Sequence, residues 1–191
     1  MWLESAKEQS GDQLDINWRG FLLEQVNNKQ GPDWKVWEQP DDYEFRGLWA
    51  LRAGVAAKMQ GKEVFQKFHI ALLRARHEDR VNIGDRGVLM EGAGGVGLDL
   101  EKFRADMEDP AVKEKVVANH LEAVENYGVF GTPTFVFPNG AAAFLKMLKP
   151  PEGNGIRVLE LLSEIMSEHI YIGEVKRPQP PWPKGAFTAG Q

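Results

Sequence analysis

The chain has 191 residues, 42% hydrophobic and 27% charged, with a formal net charge of -5. That is enough for one domain with a sizeable core, and the acidic balance argues against a broad nonspecific nucleic-acid surface. No run of about 18 apolar residues occurs, so no membrane span is expected. Cys is absent, which removes disulfides, thiolate metal sites and thiol nucleophiles from these residues together. The start, Met1-Trp2-Leu3-Glu4-Ser5, has no basic region followed by an apolar one and does not read as a secretory signal; the cytoplasm is the expected compartment.

Residues 2–9 carry good helix formers and predict a helix that ends at Gly11-Asp12. Leu14, Ile16 and Trp18 alternate with Asp15, Asn17 and Arg19, a period of two that predicts a half-buried strand, extended by Phe21, Leu22 and Leu23. The polar stretch 27–40, with Gly31-Pro32 and Pro40, predicts a loop. Asp41 with Glu44 resembles a capping box, and Phe45, Leu48, Trp49, Val55, Ala56 and Met59 recur at helical spacing as far as Gly61. Val64, Phe65, Phe68, Leu72 and Ala75 predict a second amphipathic helix. A third, over 81–90, is expected to stop at Gly92-Ala93-Gly94-Gly95, and Asp99 to cap a fourth over 100–107.

Asp109-Pro110 is a helix start, an acceptor side chain followed by proline in the first turn. The helix it opens carries Val112, Val116, His120, Leu121, Val124 and Tyr127 and ends at Gly128. The texture then changes. Residues 129–137 are apolar and β-branched, Pro138-Asn139-Gly140 predicts a tight turn, and 141–145 predicts a partner strand. After a Pro-rich loop at 149–153, Val158, Leu159, Leu162, Ile165 and Met166 predict a last helix. From Glu174 on, Pro178, Pro180, Pro181 and Pro183 predict an extended tail, with Trp182 as an apolar anchor for a strap back onto the domain. Strands near both ends and an all-helical middle imply one α/β core interrupted by a helical insertion.

The segment Tyr127-Gly128-Val129-Phe130-Gly131-Thr132-Pro133-Thr134, leading into Phe135-Val136-Phe137, resembles the cis-proline loop of the DsbA/FrnE branch of the thioredoxin superfamily. Residues 15–27 resemble that family's second strand and following loop, with Gly20 where proline is usual. Residues 97–103 resemble a helix junction of its insertion, and Tyr171-Ile172-Gly173-Glu174 with the Pro-rich tail fits one bacterial subgroup. The resemblance covers most of residues 1–173. It implies an α/β fold, a thioredoxin-like core (1–28 and 129–173) with an all-helical insertion (41–128), followed by the tail 174–191, all in a single domain. It also implies that a peptide or thiol substrate lies against Phe130, Gly131, Thr132, Pro133 and Thr134. A cis X-Pro bond costs only about 0.5–1 kcal/mol, and at Thr132-Pro133 it would bare the Thr132 backbone for strand-like pairing.

The departure from the family is large. Its members open with a strand and a Cys-X-X-Cys motif at the start of the first helix, whose thiolate that helix stabilises beside the cis-proline loop. Met1 falls inside that first helix. The expectation is therefore about 20 further residues ahead of Met1, with a short Cys-free relative as the alternative. Three roles follow: a disulfide oxidoreductase inactive without its cysteines, a glutathione-linked isomerase or kappa-class transferase relative, and a noncatalytic peptide-binding module. An unfilled central strand position also implies pairing with a second copy through sheet strands.

Other constellations have plainer readings. Gly92, Gly94 and Gly97 match G-x-G-x-x-G, but a helix precedes them where a dinucleotide site needs a strand, so they read as a helix stop. His69 and His77 lack zinc-helix spacing, His120 reads as a core or interface histidine, and His169 sits where it favours a helix C-terminus. Arg74, Arg76, Arg80 and Arg86 read as a solvated helix face. Neither the carboxylates nor the serines form a catalytic context. No catalytic residue, metal, cofactor or nucleic-acid partner is expected.

Overall fold

The computed structural model describes residues 2–10, 14–40, 43, 47–147, 150–151 and 153–176. Its helices are α1 (Trp2–Ser10), α2 (Leu23–Val26), α3 (Leu48–Met59), α4 (Lys62–His77), α5 (Arg86–Gly95), α6 (Leu100–Glu108), α7 (Pro110–Tyr127) and α8 (Gly155–Glu168). Its strands are β1 (Thr134–Val136) and β2 (Ala142–Phe144), and a 3-10 turn spans Val36–Glu38. The chain divides into two compact units, Trp18–Thr132 and Met1–Asn17 with Pro133–Gln191.

The helical unit, Trp18–Thr132, holds the core. Ala50, Ala53, Ala56 and Ala57 give α3 a buried face of small residues in the cluster it shares with α4, α5 and α6. Alanine serves twice there, as the best helix former and as the residue that lets neighbouring helices come close. Phe65, Phe68, Leu89, Phe103 and Met107 fill the space around that face, with Phe68 and Phe103 edge to face at 5.4 Å. Leu22, Val36, Leu48 and Val116 make a second buried cluster.

Polar side chains fix the helix ends. Asp85 Oδ1 accepts from the Gly87 and Val88 amides, Asp99 Oδ1 from Lys102, and Asp109 Oδ1 from Ala111 at 2.8 Å. Gln60 holds the backbone of Asp99 from both sides: its Nε2 donates to the Asp99 carbonyl and its Oε1 accepts the Asp99 amide. The capping box expected at Asp41 and Glu44 lies outside the described residues.

Three expectations are corrected. Residues 14–20 form no described strand, although Leu14, Ile16 and Trp18 are half-buried and Asp15, Asn17 and Arg19 exposed. The alternation records one sheltered face, and the strands described are β1 and β2. Leu23 does not extend a strand but opens the one-turn helix α2. The third insertion helix starts at Arg86, capped by Asp85, not at Val81, and runs through Gly92, Gly94 and Gly95. Phe68 lies beside Gly92 and Leu100 beside Gly94, at distances where a Cβ would make ordinary contact. The stop comes later, at Val96 and the left-handed Gly97.

The strand-bearing unit is built differently. β1 and β2 pair antiparallel, Thr134 with Phe144, Phe135 with Ala143 and Val136 with Ala142. The turn expected at Pro138-Asn139-Gly140 is present. The Gly140 amide donates to the Phe137 carbonyl at 2.9 Å, Gly140 is left-handed, and Asn139 Oδ1 accepts the Ala141 amide. Asn139 Nδ2 donates to the Ser167 carbonyl and so ties the turn to the end of α8. α1 and α8 meet through small residues, with the Cβ position of Gly155 only 3.5 Å from the Trp2 carbonyl oxygen and 3.8 Å from Ala6. Ala6 and Gly155 are the buried residues of this unit among those described, and its larger apolar side chains are half-buried or exposed. Residues 174–176 have no helix or strand; the rest of the Pro-rich tail, with Trp182, lies outside the described residues.

Candidate functional site

The candidate loop begins where α7 ends. Gly128 takes the left-handed conformation (φ 62°), its amide donates to the Val124 carbonyl, and the Val129 amide donates to Ala123. These paired bonds close the last turn, and burial of Val129 holds the exit. An L-residue at this φ costs about 1–2 kcal/mol. Gly128→Ala is therefore expected to lower the unfolding free energy by about 1 kcal/mol; urea denaturation checks it, and no loss would mean that the turn is not held as described.

α7 is itself anchored by His120. Its ring is buried, Nδ1 accepts the Leu22 amide at 3.4 Å, and Phe21 and Trp37 lie against it at 4.8 and 5.8 Å. Burial lowers its pKa, and an accepting Nδ1 fixes the neutral tautomer with the proton on Nε2. The expectation of a core histidine is met.

Beyond Val129 the five predicted residues divide sharply. Phe130 is 65% exposed, Gly131 is buried, Thr132 and Pro133 are exposed, and Thr134 is half-buried as the first residue of β1. Phe130, Gly131 and Thr132 close the helical unit, and Pro133 and Thr134 open the strand-bearing one. The Pro133 carbonyl accepts the Leu145 amide at 3.0 Å, which continues the β1–β2 ladder one step past its described end. Proline has no amide to give. Thr132 makes no hydrogen bond to a described residue. The tie from Leu145 was not legible in the sequence, because nothing in Leu145 itself marks a backbone partner.

The model of the DSBA-like thioredoxin domain family matches residues 2–150. This chain belongs to that family. A comparison with curated proteins returns no match. As a DSBA-like protein it has a thioredoxin-like core with a helical insertion, mostly helical, with a small two-stranded sheet. The family is oxidoreductase-like, yet these 191 residues contain no cysteine.

The remaining singled-out residues fall outside the loop. His69 lies between Trp18 (4.6 Å) and Phe65 (5.6 Å), its Nε2 is buried without a hydrogen-bond partner, and burial pushes its pKa down to about 4. His77 is exposed, and His169 caps α8 with Nδ1 2.8 Å from the Tyr171 hydroxyl. Arg86 is not a purely solvated group: its guanidinium lies over the Trp49 ring at 4.4 Å, a ring that Arg52 also approaches at 4.1 Å, and it bridges to Glu108 at 3.0 Å. Gly92, Gly94 and Gly97 belong to the end of α5 and the turn after it, without a preceding strand. Among the described residues no group of three His, Asp or Glu is placed to hold a metal, and no helix is long and apolar enough to cross a membrane.

Proposed function

We propose that this DSBA-like chain recognises an extended peptide, or a peptide bearing a thiol, along residues 130–134, and that recognition rather than electron transfer is what its own residues supply. The observation that carries the reading is the state of Thr132. It is exposed between a proline that lacks an amide and a glycine that adds no side chain, and no described residue uses its hydrogen-bonding groups. A bare backbone N–H and C=O beside a strand is what an extended ligand pairs with. Phe130 offers an apolar face to a ligand side chain. The absence of cysteine means that these residues hold no thiolate to attack a disulfide.

The test is the affinity of the 191-residue chain for a neutral, extended apolar peptide, measured with Pro133→Ala and Phe130→Ser beside the unaltered protein. An alanine at 133 restores a backbone amide and frees φ. The expected result is a loss of about tenfold in affinity for each variant, some 1.4 kcal/mol, with cooperative melting retained. Unchanged affinity in both variants would overturn the reading.

A further inference from the structure

The strand-bearing unit leaves one side of α8 uncovered. Gly155, which meets α1, marks the inner side of the helix, and Val158, Leu162 and Met166 are half-buried on that side. With about 3.6 residues per turn, Leu161 and Ile165 fall a quarter turn away from it, on one stripe. They are 41% and 38% exposed, high for large apolar side chains on an amphipathic helix. Glu160, Glu164 and Glu168, all exposed, run along the outer edge of that stripe. Arg157 bridges to Glu160 at 3.4 Å, and Glu164 lies 3.7 Å from His169. The edge is therefore acidic towards the C-terminal end of the helix. There the Ile172 amide donates to the His169 carbonyl at 2.9 Å, a turn that takes the chain out of the helix direction. Val175 follows, 85% exposed.

We propose that residues 175–187 of this same chain dock along that stripe of α8, with Trp182 seated on Leu161 and Ile165. The chemistry of the segment matches the surface. After Glu174 it carries Lys176, Arg177 and Lys184 and no acidic residue, against the carboxylate edge of α8. Its large apolar side chains are Val175, Trp182 and Phe187, and an indole ring is wide enough to cover two aliphatic side chains one helical turn apart. The reach matches as well. Leu161 lies about 12 Å back along α8 from His169. Ile172 to Trp182 spans up to about 31 Å as polyproline II. Pro178, Pro180, Pro181 and Pro183 restrict φ, so less conformational entropy is lost on docking. The tether decides which copy supplies the segment. A short connection presents it to its own α8 at an effective concentration on the order of mM, well above that of a second copy in dilute solution. The proposal does not depend on peptide recognition at 130–134.

The experiment is paramagnetic broadening in NMR spectra of the full chain. Because the chain has no cysteine, Ala189→Cys gives a single attachment point for a nitroxide just beyond the docked residues. The label is expected to broaden the amides of Leu161 and Ile165 and to spare the core amides of α3. Trp182→Ser, and separately Leu161→Ser/Ile165→Ser, are each expected to shift the docking equilibrium about tenfold towards the open form, so that most of the broadening on α8 disappears. Trp182→Ser leaves α8 itself unaltered and carries the test should the paired change disturb the helix. Mixing nitroxide-bearing chains without isotope and isotope-enriched chains without nitroxide separates docking within one chain from docking between two. Broadening as strong in the mixed sample as within one chain would place the segment on a second copy and overturn the proposal. An unbroadened α8, or broadening that survives Trp182→Ser, would overturn it equally.

Discussion

Phe103→Ala is expected to lower the unfolding free energy by about 4 kcal/mol, the largest effect of any single change considered for this chain. Phe103 is fully buried on α6, meets Phe68 edge to face at 5.4 Å, and belongs to the cluster that joins α3, α4, α5 and α6. Truncation removes the transfer free energy of a benzyl group and leaves a cavity. One wall of that cavity is the closely packed alanine face of α3, so little can collapse into it. An aromatic pair adds about 0.5–1.5 kcal/mol beyond the buried area. Phe103→Leu keeps most of the volume and should cost about 1.5 kcal/mol. Urea denaturation of both variants measures this. A loss below about 1 kcal/mol for the alanine variant would mean that the helical unit is not organised around this contact.

Acid is expected to destabilise the protein through His69. Its pKa is pushed down to about 4 by burial, whereas in the unfolded chain it is near the ordinary 6.5. Between those values the unfolded state binds the extra proton, so the unfolding free energy rises with pH across that window. The contribution is fully present above pH 6.5 and is lost as the pH falls towards 4. At pH 4.5 the loss from this group is about 2.5 kcal/mol. His120, lowered by burial as well, adds in the same direction. Carboxylates also respond to acid, so the informative quantity is the difference between wild type and His69→Phe. Phenylalanine keeps the ring between Trp18 and Phe65 and removes the partnerless Nε2. Its stability should fall less than that of wild type between pH 7 and pH 4.5, by about 2.5 kcal/mol. Equal falls would mean that His69 titrates as it does in water.

What was legible in the sequence follows from how local each signal is. Asp109-Pro110 and Gly128 mark the two ends of α7 because a cap is a contact between near neighbours in the chain. Pro138-Asn139-Gly140 fixes the β1–β2 turn for the same reason. The strand expected over 14–18 is not among the strands described, although the alternation does report a sheltered face. The glycines of α5 misled because glycine weakens a helix in isolation, while the packing of Leu89 and Ala93 into the core carries this helix through them. At the candidate site, Gly131-Thr132-Pro133-Thr134 was conspicuous because its residues are consecutive.

The central claim is that recognition at residues 130–134 survives without a cysteine. It is tested most directly by titrating the isotopically labelled 191-residue chain with a neutral extended peptide and following backbone amide shifts by NMR. The account predicts saturable shifts concentrated at Phe130, Gly131, Thr132 and Thr134, with the Thr132 amide moving most. Saturable shifts elsewhere with a silent 130–134 segment, or no shifts at any peptide concentration, would contradict it.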